Sequence, residues 1–296
     1  MKRLGDYELL RELGDGFCGS VMLARKEGGK PVAVKFPSPE KFAKTPKVGK
    51  LLVHEFSILQ MLRHPCIITA LEYQDLAPLE KEAVKGEVPF LALELVPNGE
   101  VCSLICEHGQ FPEISARFFF RQLAETLSFI NSRGFAHRDV KPENLLIDES
   151  WNLKLIDFAF AVEANKTETA LVGTPGYLAP EMLVKRGYEP AKVDVFAAGV
   201  VLFVMVRGSP PFNDTVPTDP HYSAFKKNNA HFWTYHRHKD PKAPCSPSFV
   251  NLVNRMLEPD PAKRIDILDV LSHEYLANLP SDDLAKQVFR EYLGKP

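Results

Sequence analysis

Cysteine is scarce and badly placed for a structural role, with five residues, at 18, 66, 102, 106 and 245, odd in number and without a Cys-x-x-Cys pair. That argues against a disulfide framework and against a thiolate zinc site, and makes reduced intracellular thiols the expected state. No apolar run approaches the roughly 18 to 20 residues that a membrane-spanning helix needs. The basic pair Lys2 and Arg3 is not followed by an apolar secretion segment. An excess of either charge is missing as well. With 36 Lys and Arg against 38 Asp and Glu, the net charge is -2, which speaks against nucleic acid or an anionic membrane as a partner. Repeats and low-complexity tracts are absent. What remains is an ordinary soluble composition, 45% hydrophobic and 25% charged, in 296 residues, enough for one large or two ordinary domains with a sound core. The expected location is cytoplasmic, with nuclear access left open.

The order of patterns is informative. Residues 7–36 alternate or run apolar between glycines and predict strands. Residues 50–63 place Leu52, Phe56, Leu59 and Leu62 at helical spacing, and His64-Pro65 ends that helix. Two more strands are expected near 68–73 and 89–95, with 75–88 a charged, exposed loop. Beyond Pro97-Asn98-Gly99 the pattern turns helical. Residues 112–133 carry an apolar stripe, and 193–207 are apolar nearly all round, as in a buried helix. Residues 209–247 read as irregular and 249–293 as helical again. A β-rich first third and a helical remainder, joined at 94–99, imply two lobes with a cleft between them.

Three motifs carry chemistry. Gly14, Gly16 and Gly19, in a Gly-x-Gly-x-x-Gly-x-Val run ending at Val21, let a backbone approach phosphates with no Cβ in the way. A dinucleotide loop would open a helix after the last glycine, yet 20–25 continue as a strand. Lys35, in Val32-Ala33-Val34-Lys35, falls on the next strand, where an ammonium can neutralise nucleotide phosphate, and Glu55 is the best carboxylate to hold it. The third motif is His137-Arg138-Asp139-Val140-Lys141-Pro142-Glu143-Asn144, with Asp157-Phe158-Ala159 shortly after. Asp139 can orient and deprotonate a hydroxyl, and Lys141 can stabilise charge on a transferred phosphoryl. Asn144 and Asp157 offer oxygens suited to Mg²⁺. Because phosphoryl transfer has a loose transition state, positioning and charge carry most of the catalysis.

From about Tyr7 to Leu276 the chain resembles a eukaryotic-type protein kinase. The resemblance implies an α+β, bilobal fold: a small β-rich N-lobe with one main helix (about 1–93), a hinge (94–99), a larger mainly helical C-lobe (100–280) and a short tail (281–296). It implies ATP and Mg²⁺ as cofactors and transfer of the γ-phosphate to Ser or Thr of a protein. Gly14, Gly16 and Gly19 would cover the phosphates, and Lys35 would pair with Glu55 and the phosphates. Asp139 would be the base, and Asn144 and Asp157 would hold Mg²⁺. Leu93 would lie behind the adenine, the backbones of Glu94 and Val96 would bond it, and Leu13, Val21, Ala33 and Leu146 would pack on its faces. Glu100 falls at the nucleotide's edge and, with Glu143, matches positions that receive a basic residue three before the target hydroxyl. Residues 173–181 resemble the loop that seats a peptide, with Glu181 paired to Arg264, and Asp194 and Gly199 match the helix under the catalytic loop. Lys141-Pro142-Glu143-Asn144 with Gly173-Thr174 is similar to the serine/threonine branch, and the runs 142–149 and 176–181 to the calcium/calmodulin-dependent-kinase-like group.

Departures set further expectations. Ala159 stands where the family has glycine. A positive φ there would cost about 1–2 kcal/mol, so a slower or less switchable enzyme is expected. Arg138 beside the base marks loops ordered by a phosphate. Ala170 occupies the usual acceptor position, so Thr169, then Thr167, are the candidate regulatory sites for an upstream kinase; the alternative is a loop already ordered with help from Glu168. The clustered His221, His231, His236 and His238 lack carboxylates and Cys at ligand spacing for a metal and read as surface histidines on a helix or loop, and the tail is expected to pack as a short helix. The rival reading is a nucleotide-binding scaffold with weak or no catalysis; a small-molecule kinase ranks third.

Overall fold

The structure is a computed structural model that describes residues 2–81, 84–184, 186–240 and 245–295. The chain forms two compact units, Met1–Pro97 with Asp157–Phe160, and Asn98–Ile156 with Ala161–Pro296. The division falls inside the expected 94–99 joint. Asp157–Phe160, expected from the sequence in the helical part, belongs with the first unit.

In the first unit, β1 (Arg3–Leu4), β2 (Tyr7–Gly16), β3 (Gly19–Arg25), β4 (Val32–Phe36), β5 (Ala70–Lys81) and β6 (Val84–Glu94) close into an antiparallel barrel, in the order β1-β2-β3-β4-β6-β5. Strand side chains alternate between faces. Met22, Ala24, Val34 and Phe36 therefore point into a core shared with Leu4, Tyr7, Leu9, Ala77, Leu79 and Phe90. The intervening residues make a second face: Val21 opposite Lys35, Leu23 opposite Ala33, and Leu93 and Leu91 opposite Ala33 and Lys35. Two helices accompany the barrel, α1 (Pro39–Lys44), capped by Ser38, and α2 (Lys47–Met61). The inward residues of α2 are Val48, Leu52, Glu55, Ile58 and Leu59. Phe56, expected inside, instead stacks on Tyr73 with ring centroids 5.8 Å apart.

Residues 75–88 are not the exposed loop expected from their charge. Of these, 75–81 and 84–88 belong to β5 and β6, which pair in antiparallel register, and Ala77, Leu79 and Val88 are core residues, while 82–83 lie outside the described residues. A register shift between Gln74 and Ala77 breaks the alternation, so the period-two signal is lost where charged residues crowd the outer face.

The second unit holds α3 (Val101–His108), α4 (Glu113–Ser132), β7 (Phe135–Ala136), β8 (Leu145–Ile147), β9 (Leu153–Leu155), β10 (Val162–Glu163), α5 (Pro190–Arg207), α6 (Pro220–Lys227), α7 (Asn229–Lys239), α8 (Pro247–Met256), α9 (Ile267–Leu271) and α10 (Asp282–Tyr292). The core helix is α5, buried almost throughout. At Gly199 a Cβ would stand 2.8 Å from the Met256 Cβ, so glycine lets α8 pack against it. Most of 209–247 is helical after all. The helices α6 and α7 are short and start at the side-chain caps Asp219 and Asn228. Capping rather than an apolar stripe starts them, while 241–244 lie outside the described residues. His236, read from the sequence as a surface histidine, is instead a core residue ringed by Phe203 and Phe232, and burial pushes its imidazole down to about 4. In the tail, α10 buries Phe289 against Phe111 and Phe119.

Candidate active site

In the first unit the glycine loop is the turn of the β2–β3 hairpin, closed by Gly16 opposite Gly19. Gly19 is required by the fold: its φ is +132°, and a Cβ would lie 2.3 Å from the Phe36 carbonyl oxygen. Gly14 and Gly16 differ. Neither has positive φ, and a Cβ would meet nothing at Gly14 and only the Gly19 carbonyl oxygen, at 3.9 Å, at Gly16. Packing does not demand glycine there, whereas a ligand that must reach the backbone would. Next to them, Cys18 is buried, and burial, partly offset by Lys35, pushes its thiol up to about 11. It is a packed thiol and not a nucleophile.

Beneath the loop, Lys35 Nζ lies 2.8 Å from Glu55 Oε2 and 2.9 Å from Asp157 Oδ1. Glu55 Oε1 accepts the Phe158 N–H at 3.2 Å. Burial alone would lower the Lys35 ammonium, but Glu55 and Asp157 outweigh it and the pKa is raised. Burial pushes Glu55 up, opposed by Lys35 and the Phe158 N–H; with donors on both oxygens, the ionised form fits the geometry. On the face that carries buried Lys35, the half-buried Val21 and Ala33 and the buried Leu93 offer apolar contact, with Leu13 on β2 half-buried. The Glu94 N–H is already given to the Thr69 carbonyl at 3.0 Å, so a base could draw only on its carbonyl. Val96 lies in the same unit, outside the regular strands.

The expected strain is displaced by two residues. Among the described residues, the non-glycine positions with positive φ are Arg138, Trp151, Asp157 and Asn278. Ala159 is not one of them, and it is buried. Its Cβ therefore carries no left-handed penalty in this conformation. The unusual backbone belongs to Asp157, at φ 63°, where it aims the carboxylate at Lys35.

In the second unit Asp139, Lys141 and Asn144, with Thr174, form a tight polar ring. Asp139 Oδ2 receives Lys141 Nζ at 2.9 Å and Asn144 Nδ2 at 3.0 Å, while Oδ1 receives the Thr174 hydroxyl at 3.0 Å. Lys141 Nζ also reaches the Thr174 oxygen at 2.6 Å. A hydroxyl of the chain thus already stands at the distance a substrate hydroxyl must take from a general base. Thr174 did not stand out in the sequence as a site residue; its signal was only its place after Gly173. That glycine is needed, because at φ +104° a Cβ would sit 2.9 Å from the Arg138 carbonyl oxygen.

Beneath the ring, buried Asp194 accepts the His137 and Arg138 N–H groups at 2.6 and 2.7 Å, which holds Arg138 at φ 66°. Arg264 grips Glu181 through two bonds of 2.6 and 2.9 Å, and its guanidinium lies 5.0 Å from the Phe196 ring centroid. Glu100 pairs in an isolated bridge with Leu146. Burial and the nearby Glu143 raise Glu100, against Lys141. Glu143 Oε2 is buried with no hydrogen-bond partner among the described residues. Thr167 and Thr169 are exposed, and between them Glu168 meets Arg138.

For a metal, the donor chemistry fits Mg²⁺. The Asn144 amide nitrogen is committed to Asp139, so only its carbonyl oxygen can serve a cation. Asp157 brings a partly exposed carboxylate. No cluster of three His, Cys, Asp or Glu able to hold a metal occurs among the described residues.

Residues 7–276 match the family model described as protein kinase domain. CBL-interacting protein kinase 29 of Oryza sativa subsp. japonica is 36% identical over 280 residues, covering 92% of this chain and 59% of that protein. CBL-interacting serine/threonine-protein kinase 13 of Arabidopsis thaliana is 36% identical over 275 residues, 91% of this chain and 51% of its own length. CBL-interacting serine/threonine-protein kinase 7 of the same plant is 34% identical over 294 residues, 97% and 64% respectively. The chain spans between half and two-thirds of these curated relatives.

Proposed function

Because the chain belongs to the protein kinase domain family, we propose that it transfers the γ-phosphate of Mg·ATP to serine or threonine hydroxyls of protein substrates. The observation that carries this is the ring around Asp139, with its bound hydroxyl and adjacent ammonium. The first unit contributes the open backbone at Gly14 and Gly16 and the Lys35 cation for phosphate. In the second, Asp139 orients the acceptor hydroxyl and takes its proton, and Lys141 stabilises charge on the moving phosphoryl. Asn144 and Asp157 would hold Mg²⁺, which when bound neutralises charge on the nucleotide phosphates. Thr174 keeps the base and lysine in register until substrate arrives. The intact Lys35, Glu55, Asp139, Asn144 and Asp157 and the unstrained Ala159 favour catalysis over a silent nucleotide-binding scaffold. The Glu181–Arg264 clamp under the peptide loop favours a protein over a small molecule as acceptor.

Two finer readings are part of the proposal. The runs 142–149 and 176–181 support a place in the calcium/calmodulin-dependent-kinase-like group. A basic residue N-terminal to the target is favoured, because the buried Glu143 oxygen, without a hydrogen-bond partner among the described residues, and its neighbour Glu100 form an anionic pair that a cation would satisfy. The exposed Thr167 and Thr169 are open to an upstream kinase. A cytoplasmic location accords with five scattered cysteines that include no Cys-x-x-Cys pair. A positional peptide array with labelled ATP tests the central reading and the preference together. Label on Ser or Thr, strengthened by Arg or Lys three residues before it, is expected. Label without that gain would remove the preference alone.

A further inference from the structure

The segment that follows Ala159 carries its own anion. Of Thr167, Glu168 and Thr169, the middle residue meets Arg138: Glu168 Oε2 lies 3.4 Å from Nη1. The same nitrogen donates to the Tyr188 hydroxyl at 3.0 Å, which donates onward to the Ala170 carbonyl at 2.7 Å. Two backbone bonds complete the circuit, Glu168 N–H to Tyr188 O at 3.0 Å and Tyr188 N–H to Glu168 O at 2.8 Å. Residues 168–170 are thus pinned to 188 by three hydrogen bonds and to Arg138 by one ion pair. That pair is partly withdrawn from water, with side chains 7% and 27% exposed, against 73% and 77% for the surface pair Lys44–Glu40. Tyr188 is buried. A rim pair such as Lys44–Glu40 contributes little, but one set against a buried hydroxyl can hold a segment in place.

What is held matters for the chemistry. The Arg138 N–H is fixed by Asp194, its carbonyl is roofed by Gly173, and the next residue is Asp139. Thr174, on the same segment as Glu168, closes on Asp139. Pinning 168–170 to Arg138 therefore ties together the two chain segments that meet at the base.

We propose that Glu168 and Tyr188 are positioning residues for phosphoryl transfer, Glu168 supplying the charge that Arg138 requires and Tyr188 tying it to the segment's backbone, so that the enzyme is active without phosphate on Thr167 or Thr169. This rests on the kinase reading above. A phosphate on either threonine adds a second anion to an arginine already satisfied, and tunes the rate without switching it.

The test uses the full chain treated with phosphatase, with mass spectrometry confirming unmodified Thr167 and Thr169. Transfer to a basic serine peptide should persist, and the Thr167→Ala, Thr169→Ala double variant should keep the wild-type kcat. Glu168→Gln should lower kcat about tenfold, as for one lost charge-assisted hydrogen bond, with KM for ATP unchanged. Glu168→Asp should recover part of that loss, and Tyr188→Phe should fall between. Thermal melting of each variant separates misfolding from mispositioning, and the phosphatase and threonine arms stand even if a Glu168 variant fails to fold. Activity that vanishes on dephosphorylation and returns with threonine phosphate would overturn the proposal, as would an unchanged kcat in a folded Glu168→Gln. No transfer from any form, phosphorylated or not, while Mg·ATP still binds, would instead take down the kinase reading and this inference with it.

Discussion

Two cation–carboxylate pairs, one in each compact unit, do different kinds of work. Lys35–Glu55 is almost wholly buried, 7% and 1% exposed, and each partner makes a second bond, to Asp157 and to the Phe158 N–H. Arg138–Glu168 is longer, at 3.4 Å, and its carboxylate is a quarter open to water. The first pair is part of the frame: removing one partner strands a buried charge. The second is a clamp that can loosen without the core noticing. A charge pair's burial, more than its presence, sets whether its loss appears in stability or in rate.

The largest expected effect breaks the first pair. Lys35→Met leaves Glu55 buried without its ammonium and should cost on the order of 3–5 kcal/mol of stability. Transfer should fall by more than about 100-fold, since the phosphates lose their preorganised cation. Urea denaturation and initial rates measure both; unaltered stability would erase the distinction between the pairs. Next comes Glu168→Gln, expected to lose rate and less than about 1 kcal/mol of stability, as for a partly exposed pair. Raising salt should mimic part of the rate loss, because an open pair is screened and a buried one is not. Third, Glu143→Gln should raise KM for a basic peptide about tenfold, a charged contact's worth, with kcat unchanged. An equal loss on a peptide lacking the basic residue would show that Glu143 only shapes the loop. The smallest effect belongs to Ala159→Gly. With no left-handed φ to relieve, glycine should cost about 0.5–1 kcal/mol through chain entropy. Its rate should stay within about twofold of wild type, a change of barrier under about 0.5 kcal/mol; a large fall would mean that the Ala159 methyl itself supports catalysis.

Much of the site could be read from the sequence because its parts are local. Asp139, Lys141 and Asn144 lie within six residues, and all three converge in the structure. Glu55 could be read from one lysine at the end of an apolar strand and one acid on the helix that follows, and the structure buries it on the inner side of α2. What escaped was decided by contacts distant in sequence. Thr174 matters only where Gly173 lets its segment reach Asp139. Tyr188 acts through Arg138, fifty residues earlier. The unusual backbone was expected at Ala159 from a glycine-to-alanine change, but it sits at Asp157, where the carboxylate must reach Lys35. In the fold, β5 and β6 are longer than their sequence pattern suggests because a bulge hides the alternation. The helices α6 and α7 were missed because their polar caps outweigh a weak apolar stripe.

Asp139, held by Lys141, Asn144 and Thr174, is the proposed base of the phosphoryl transfer. Its most direct test compares wild type with Asp139→Asn in transfer of label from γ-labelled Mg·ATP to a basic serine peptide. A parallel titration should show that both bind nucleotide alike. Stoichiometric phosphoserine from the wild type and a loss of more than about 100-fold in the variant are expected. Equal label from both proteins, or none from a wild type that binds Mg·ATP, would contradict Asp139 as the base.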